Sequence, residues 1–101
     1  MQAEVPKALL ELRQQIDAID GELLDILARR FAVTWQVGEL KAELGLDSVD
    51  PVREQQKLER LKEQALARDL DAAFVSALFQ YIFDEVVKNH QSCLQARQSG
   101  S

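Results

Sequence analysis

Arg13, Arg30 and Lys41 fall within one stretch whose apolar residues recur at helical spacing, in a chain of 101 residues with a formal net charge of −5. Arg30 and Lys41 are eleven residues apart, which places them about 20° from one another around a helix. Leu23, Ile26, Leu27, Val33, Val37 and Leu40 share that stripe. Cations normally avoid an apolar stripe because burying charge is expensive, so two embedded there point to a buried anion. Guanidinium forks and an ammonium are the groups that hold carboxylates. Arg13 is rotated by roughly 100° from Arg30 and lies about 25 Å away along the axis. It cannot reach the same small ligand within one chain, but a second chain can bring it there.

Two further groups could contribute. In Asp50-Pro51-Val52-Arg53-Glu54, Asp before Pro is a helix start, and the first turn offers unpaired backbone N–H groups and a dipole that favours anions. Arg53 and Glu54 there read either as a solvated, capped helix start or as part of the anion site. Val86 and His90 lie one turn apart on a later apolar stripe. His90 reads as a hydrogen-bonded structural side chain or as a donor to a ligand. It is not read as a metal ligand, because neither a second His nor a Cys stands at ligand spacing. The single Cys93 makes no nucleophile pair with His90, and no glycine-rich phosphate loop is present.

The elements that must position these residues are helices. Apolar spacing predicts an all-α single domain over 1–101, with helices at about 7–44, 51–67 and 71–96 and a tail at 97–101. Gly21 and Gly38 interrupt the first helix, each costing up to ~1 kcal/mol relative to Ala. Gly38 reads as a close helix approach or a bend. Gly45 caps the first helix. The second carries Val52, Leu58, Leu61 and Ala65, then frays near Arg68. Asp69 or Asp71 caps the third, whose apolar positions include Phe74, Val75, Leu78, Phe79, Ile82, Phe83, Val86 and Leu94. Trp35 and Tyr81 read as core or dimer-seam aromatics. A first helix of about 38 residues would run about 57 Å, longer than a compact 100-residue globule is wide. Pairing with a second copy, as an intertwined homodimer, is therefore expected.

Composition excludes several classes. A hydrophobic share of 47% and a charged share of 29% suit a folded domain. At a pI of about 4.8, no basic stripe is left for nucleic acid once the buried cations are set aside. No apolar run approaches the ~20 residues of a membrane span, and Lys and Arg do not gather opposite a clean apolar face as in a membrane-surface helix. The opening MQAEVPKALLELR lacks a leader's apolar region. With one Cys, the expectation is a reducing cytoplasm.

The chain resembles the all-helical class of chorismate mutases from about Ala8 to Leu94. The resemblance rests on Leu12-Arg13-Gln14-Gln15-Ile16-Asp17-Ala18-Ile19-Asp20, Leu27-Ala28-Arg29-Arg30, Val37-Gly38-Glu39-Leu40-Lys41, Asp50-Pro51-Val52-Arg53-Glu54 and Leu70-Asp71-Ala72-Ala73-Phe74-Val75. It implies a domain-swapped homodimer with two equivalent sites, converting chorismate to prephenate for Phe and Tyr biosynthesis by a Claisen-type rearrangement without cofactor or metal. Arg30, Lys41 and Arg53 match the site cations, and Arg13 the arginine donated by the other subunit. Glu54 matches the acid that receives the substrate hydroxyl, and Asp50 a residue at the pocket edge. Where many bacterial members carry a Gln donor to the ether oxygen, this chain has His90. Where they carry a Ser near a substrate carboxylate, it has Val86. His90 can donate as a neutral tautomer or as imidazolium.

Three other readings stand beside this one. Isochorismate pyruvate lyase resembles the same fold, but that class tends to lack an acid at the Glu54 position. A mutase for the amino analogue of chorismate is a second alternative. A catalytically silent helical dimer or regulatory module is the third. Arg30→Ala separates enzyme from silent module: turnover is lost with folding intact in the first case. In the second, thermal unfolding shows a neutral or stabilising change, because a repulsive buried charge has gone.

Overall fold

The computed structural model describes residues 4–47 and 49–99, without the side chains of residues 93, 94 and 96–99. The side chains of Cys93 and Leu94, and residues 100–101 of the expected tail, therefore lie outside what is described. Three helices follow one another: α1 (Lys7–Leu44), α2 (Pro51–Ala67) and α3 (Ala72–Ser99). The architecture is all-α.

Each helix end has a local cause. The Pro6 carbonyl accepts from the N–H groups of Leu9 and Leu10 at 3.0 and 3.1 Å, opening α1. Gly45, at φ 72°, closes it. The Leu46 N–H donates to the Lys41 carbonyl at 2.8 Å and the Gly45 N–H to that of Ala42 at 3.4 Å, the paired bonds of a Schellman ending. Asp50 caps α2 as its place before Pro51 implies, its carboxylate accepting from the Arg53 N–H at 3.1 Å.

The end of α2 differs from the frayed terminus expected near Arg68. Asp69 sits at φ 57°. The Leu70 N–H donates to the Ala65 carbonyl at 2.8 Å and the Asp69 N–H to that of Leu66 at 3.2 Å. This is a second Schellman ending, with Asp where Gly is usual. Asp69 thus ends α2, and Asp71 caps α3, accepting from the Ala73 N–H at 3.1 Å.

The chain divides into two compact units, Met1–Val33 and Thr34–Ser101. In the second, α2 and α3 pack on each other. Ala65, Val75, Ile82 and Phe83 are buried there, and the Phe79 and Phe83 rings meet at 6.2 Å and 60°, a tilted aromatic contact. Val52, Phe74 and Leu78, expected among the apolar positions of α2 and α3, remain exposed. Trp35 and Tyr81 are exposed as well, so neither is core within this chain. In the first unit, Leu12, Ile16, Ile19, Leu23 and Ile26 each keep more than half of their surface exposed.

Left-handed backbone costs a non-glycine residue roughly 1–2 kcal/mol. Asp69→Gly is therefore expected to stabilise the chain by about 0.5–1 kcal/mol, after the larger entropy loss of Gly is allowed for. A raised thermal midpoint would show it; a lowered one would mean that the Asp69 side chain supports the turn.

Candidate active site

The second unit buries one polar side chain among the described residues, His90, at 4% exposure. It continues the buried stripe of α3 through Val75, Ile82 and half-buried Val86. Its ring reaches α1, where Nε2 lies 2.9 Å from the Thr34 carbonyl oxygen. A carbonyl only accepts, so Nε2 donates. That carbonyl also stands at the helical-ladder position for the Gly38 N–H, and its second lone pair serves the imidazole.

Gly38 makes the approach possible. It is the buried residue of α1, and a Cβ placed on it would collide with the His90 ring, 3.0 Å from Nε2 and 3.1 Å from Cγ. Of the two sequence readings of Gly38, close approach is the one observed.

Thr34, Gly38 and Lys41 stand at i, i+4 and i+7, one face of α1. Lys41 therefore follows the His90 contact by about a turn. It is half-buried, and its carbonyl is tied into the Gly45 ending at 2.8 Å from the Leu46 nitrogen. As the basic residue of the last turn, it also suits the helix dipole.

At the start of α2 the Asp50 carboxylate is engaged as the cap, so its place at a pocket edge coincides with a structural task. The Glu54 N–H donates to the Asp50 carbonyl at 3.0 Å, and Glu54 is half-buried while Arg53 is exposed. In the first unit Arg13 is exposed and Arg30 half-buried. Burial holds the Arg30 guanidinium below its ordinary pKa, because losing water disfavours its charged form.

The structure thus brings His90 onto the α1 face that carries Lys41, joins Asp50 to Arg53 through a cap, and sets Val86 one turn before His90. Sequence reasoning missed Thr34 altogether and gave Gly38 no partner. The only available signal was a glycine inside an apolar stripe, and nothing in the sequence pairs it with His90. Among the described residues no three His, Cys, Asp or Glu gather as metal ligands. No helix there is long and apolar enough to cross a membrane.

The inventory is one of cations and a buried imidazole on helices, suited to holding a small anion rather than attacking it. Residues 12–91 match chorismate mutase type II, and the chain belongs to that family. The bifunctional chorismate mutase/prephenate dehydratase of Escherichia coli (strain K12) is 39% identical over 87 residues, covering 86% of this chain and 22% of that protein. The chorismate mutase of Methanocaldococcus jannaschii is 30% identical over 87 residues, covering 86% of this chain and 83% of its own. The 4-amino-4-deoxychorismate mutase of Streptomyces venezuelae is 30% identical over 80 residues, covering 79% and 78%. This chain spans about a fifth of the length of the E. coli relative. These relatives carry mutase names, and the lyase reading gains no support from them.

Gly38→Ala gains helix propensity of about 1 kcal/mol but displaces a buried ring and its hydrogen bond. Overpacking of that kind costs roughly 1–3 kcal/mol and the lost bond about 1 more. Gly38→Ala is expected to lower the unfolding midpoint in denaturant. Gly21→Ala, with nothing within 4 Å of an added Cβ, should raise it. Equal shifts for the two would remove the close approach as the reason for Gly38.

Proposed function

We propose that this chain catalyses the rearrangement of chorismate to prephenate as a cofactor-free homodimer in the cytoplasm, serving aromatic amino acid biosynthesis. The observation that carries the reading is the family match over residues 12–91, which spans Arg13, Arg30, Lys41, Arg53, Glu54, Val86 and His90. The half-buried cations Lys41 and Arg30 add physical support.

The reaction breaks one C–O bond and forms one C–C bond within the same molecule, with no electron or proton exchanged with the protein. Catalysis is then a matter of shape and charge. Arg30, Lys41, Arg53 and the second copy's Arg13 grip the two carboxylates and hold the substrate in a compact chair. Lys41 and His90 supply donors where negative charge grows on the ether oxygen. Glu54 receives the substrate hydroxyl, Val86 lines the carboxylate end, and Asp50 holds the α2 start that presents Arg53. The dimer is supported by the exposed apolar row Leu12, Ile16, Ile19, Leu23 and Ile26, which a second copy would cover. The cytoplasmic assignment is supported by the one cysteine of the sequence.

The amino analogue is the second substrate to assay, because the S. venezuelae relative is named for it. Purified protein is expected to remove the ultraviolet absorbance of chorismate and yield prephenate. Lys41→Ala should lose at least about 10²–10³-fold in kcat, the scale of one transition-state donor. Sedimentation should show a dimer. Salicylate from isochorismate without prephenate from chorismate, turnover of the amino analogue alone, or full activity in Lys41→Ala would each overturn the assignment.

A further inference from the structure

Building on the mutase reading, we infer that the Thr34 carbonyl fixes the tautomer of His90, so that His90 donates to the substrate only as an imidazolium, through Nδ1, with the second proton taken up alongside the doubly charged acid. Nε2 lies 2.9 Å from the Thr34 oxygen and keeps its hydrogen in either protonation state, because a carbonyl has none to give. The hydrogen of a neutral ring is thereby spent on α1. Nδ1 is then a bare lone pair, buried and without a hydrogen-bond partner among the described residues.

A lone pair directed at an ether oxygen that is gaining negative charge would oppose the reaction. A protonated Nδ1 would assist it. The ring has little room to turn and offer Nε2 instead, since it is 96% buried and lies against the Gly38 backbone; a substrate meets Nδ1 by displacing the side chains that cover it.

Charged side chains stand on all three helices of this unit. On α1, Lys41 shares the Thr34–Gly38 face one turn on. On α2, which packs on α3, Glu54 and Lys57 are half-buried, and on α3 itself Glu85 and Lys88 are exposed. None of these groups is hydrogen-bonded to Nδ1. A dicarboxylate held beside the ring would favour its imidazolium form. A neutral amide at position 90 would donate at every pH, whereas an imidazole whose one neutral hydrogen is spent on Thr34 makes the rate depend on proton supply.

Two measurements test this. Nitrogen-15 NMR of the unaltered protein above the histidine titration range is expected to show the Nε2–H tautomer; an Nδ1–H tautomer overturns the inference. Initial rates of prephenate formation are then followed from about pH 5 to pH 9, across the ordinary histidine range. For the parent, kcat/KM is expected to fall about tenfold per pH unit beyond one basic-side transition. The His90→Gln profile should be flat there, whatever its absolute rate. Superimposable profiles overturn the inference while leaving the mutase reading standing. No prephenate from either protein at any pH sinks the mutase reading itself, and the tautomer assignment then stands or falls on the NMR spectrum alone.

Discussion

The seat of His90 on the α1 face that carries Lys41 depends on one contact, the imidazole of α3 lying on the bare backbone of Gly38 and bonded to the Thr34 main-chain oxygen. As a stabilising device it performs poorly. Gly38 costs about 1 kcal/mol of helix propensity, and an unpaired buried nitrogen at Nδ1 costs roughly 1–3 kcal/mol more. Against that, the hydrogen bond to Thr34 returns about 0.5–1.5 kcal/mol. An apolar residue at position 90 with Ala at 38 would serve the core better. Under the proposed mutase reading the imidazole has a ligand to meet, and a half-buried lysine on the same α1 face would suit an anionic one.

The overall charge works against such a ligand. A chain of net charge −5 repels a dicarboxylate at long range, although ions at physiological strength screen that repulsion beyond about 8 Å. Attraction must come from cations within that distance. Arg30 is already depressed in pKa by burial, so an anion beside it would restore what desolvation removed. Arg53 is exposed and offers less to a ligand because water competes for it. The half-buried and the exposed cation are therefore not equivalent: under the proposed reading the first would bind at the expense of stability and the second more weakly.

What could be read from the sequence was whatever depends on neighbours along the chain. Asp50-Pro51 and Gly45 place helix ends because a cap and a left-handed turn are local chemistry. The α2 to α3 connection was ambiguous for the same reason: Asp69 and Asp71 are the same residue type, and only backbone bonds to Ala65 and Leu66 show that one ends a helix while the other begins the next. The cations stood out because charge on an apolar stripe is visible as pattern. The His90–Thr34 bond is of another kind. Its acceptor is a main-chain atom inside a regular helix, which every residue possesses, and its donor is 56 positions away. No residue type announces such a pair. Which apolar face of α3 packs within its own chain was equally unreadable: Phe74 and Tyr81, seven residues apart, share one face, Phe83 stands on the opposite one, and both faces carry large apolar side chains.

That last point bears on assembly. In the first unit the apolar row of α1 keeps just over half of its surface exposed, so each such side chain forgoes about half of the roughly 1.5–3 kcal/mol that full burial gives. Arg13 is exposed within the same unit. If a second copy covers the row, covering it and delivering Arg13 to the opposite site become a single event, because both are fixed on one rigid helix at a spacing of about 25 Å from Arg30. Association and competence would then share one equilibrium. A substitution that weakens the apolar row would lower activity through the monomer population, without touching any group that meets the substrate.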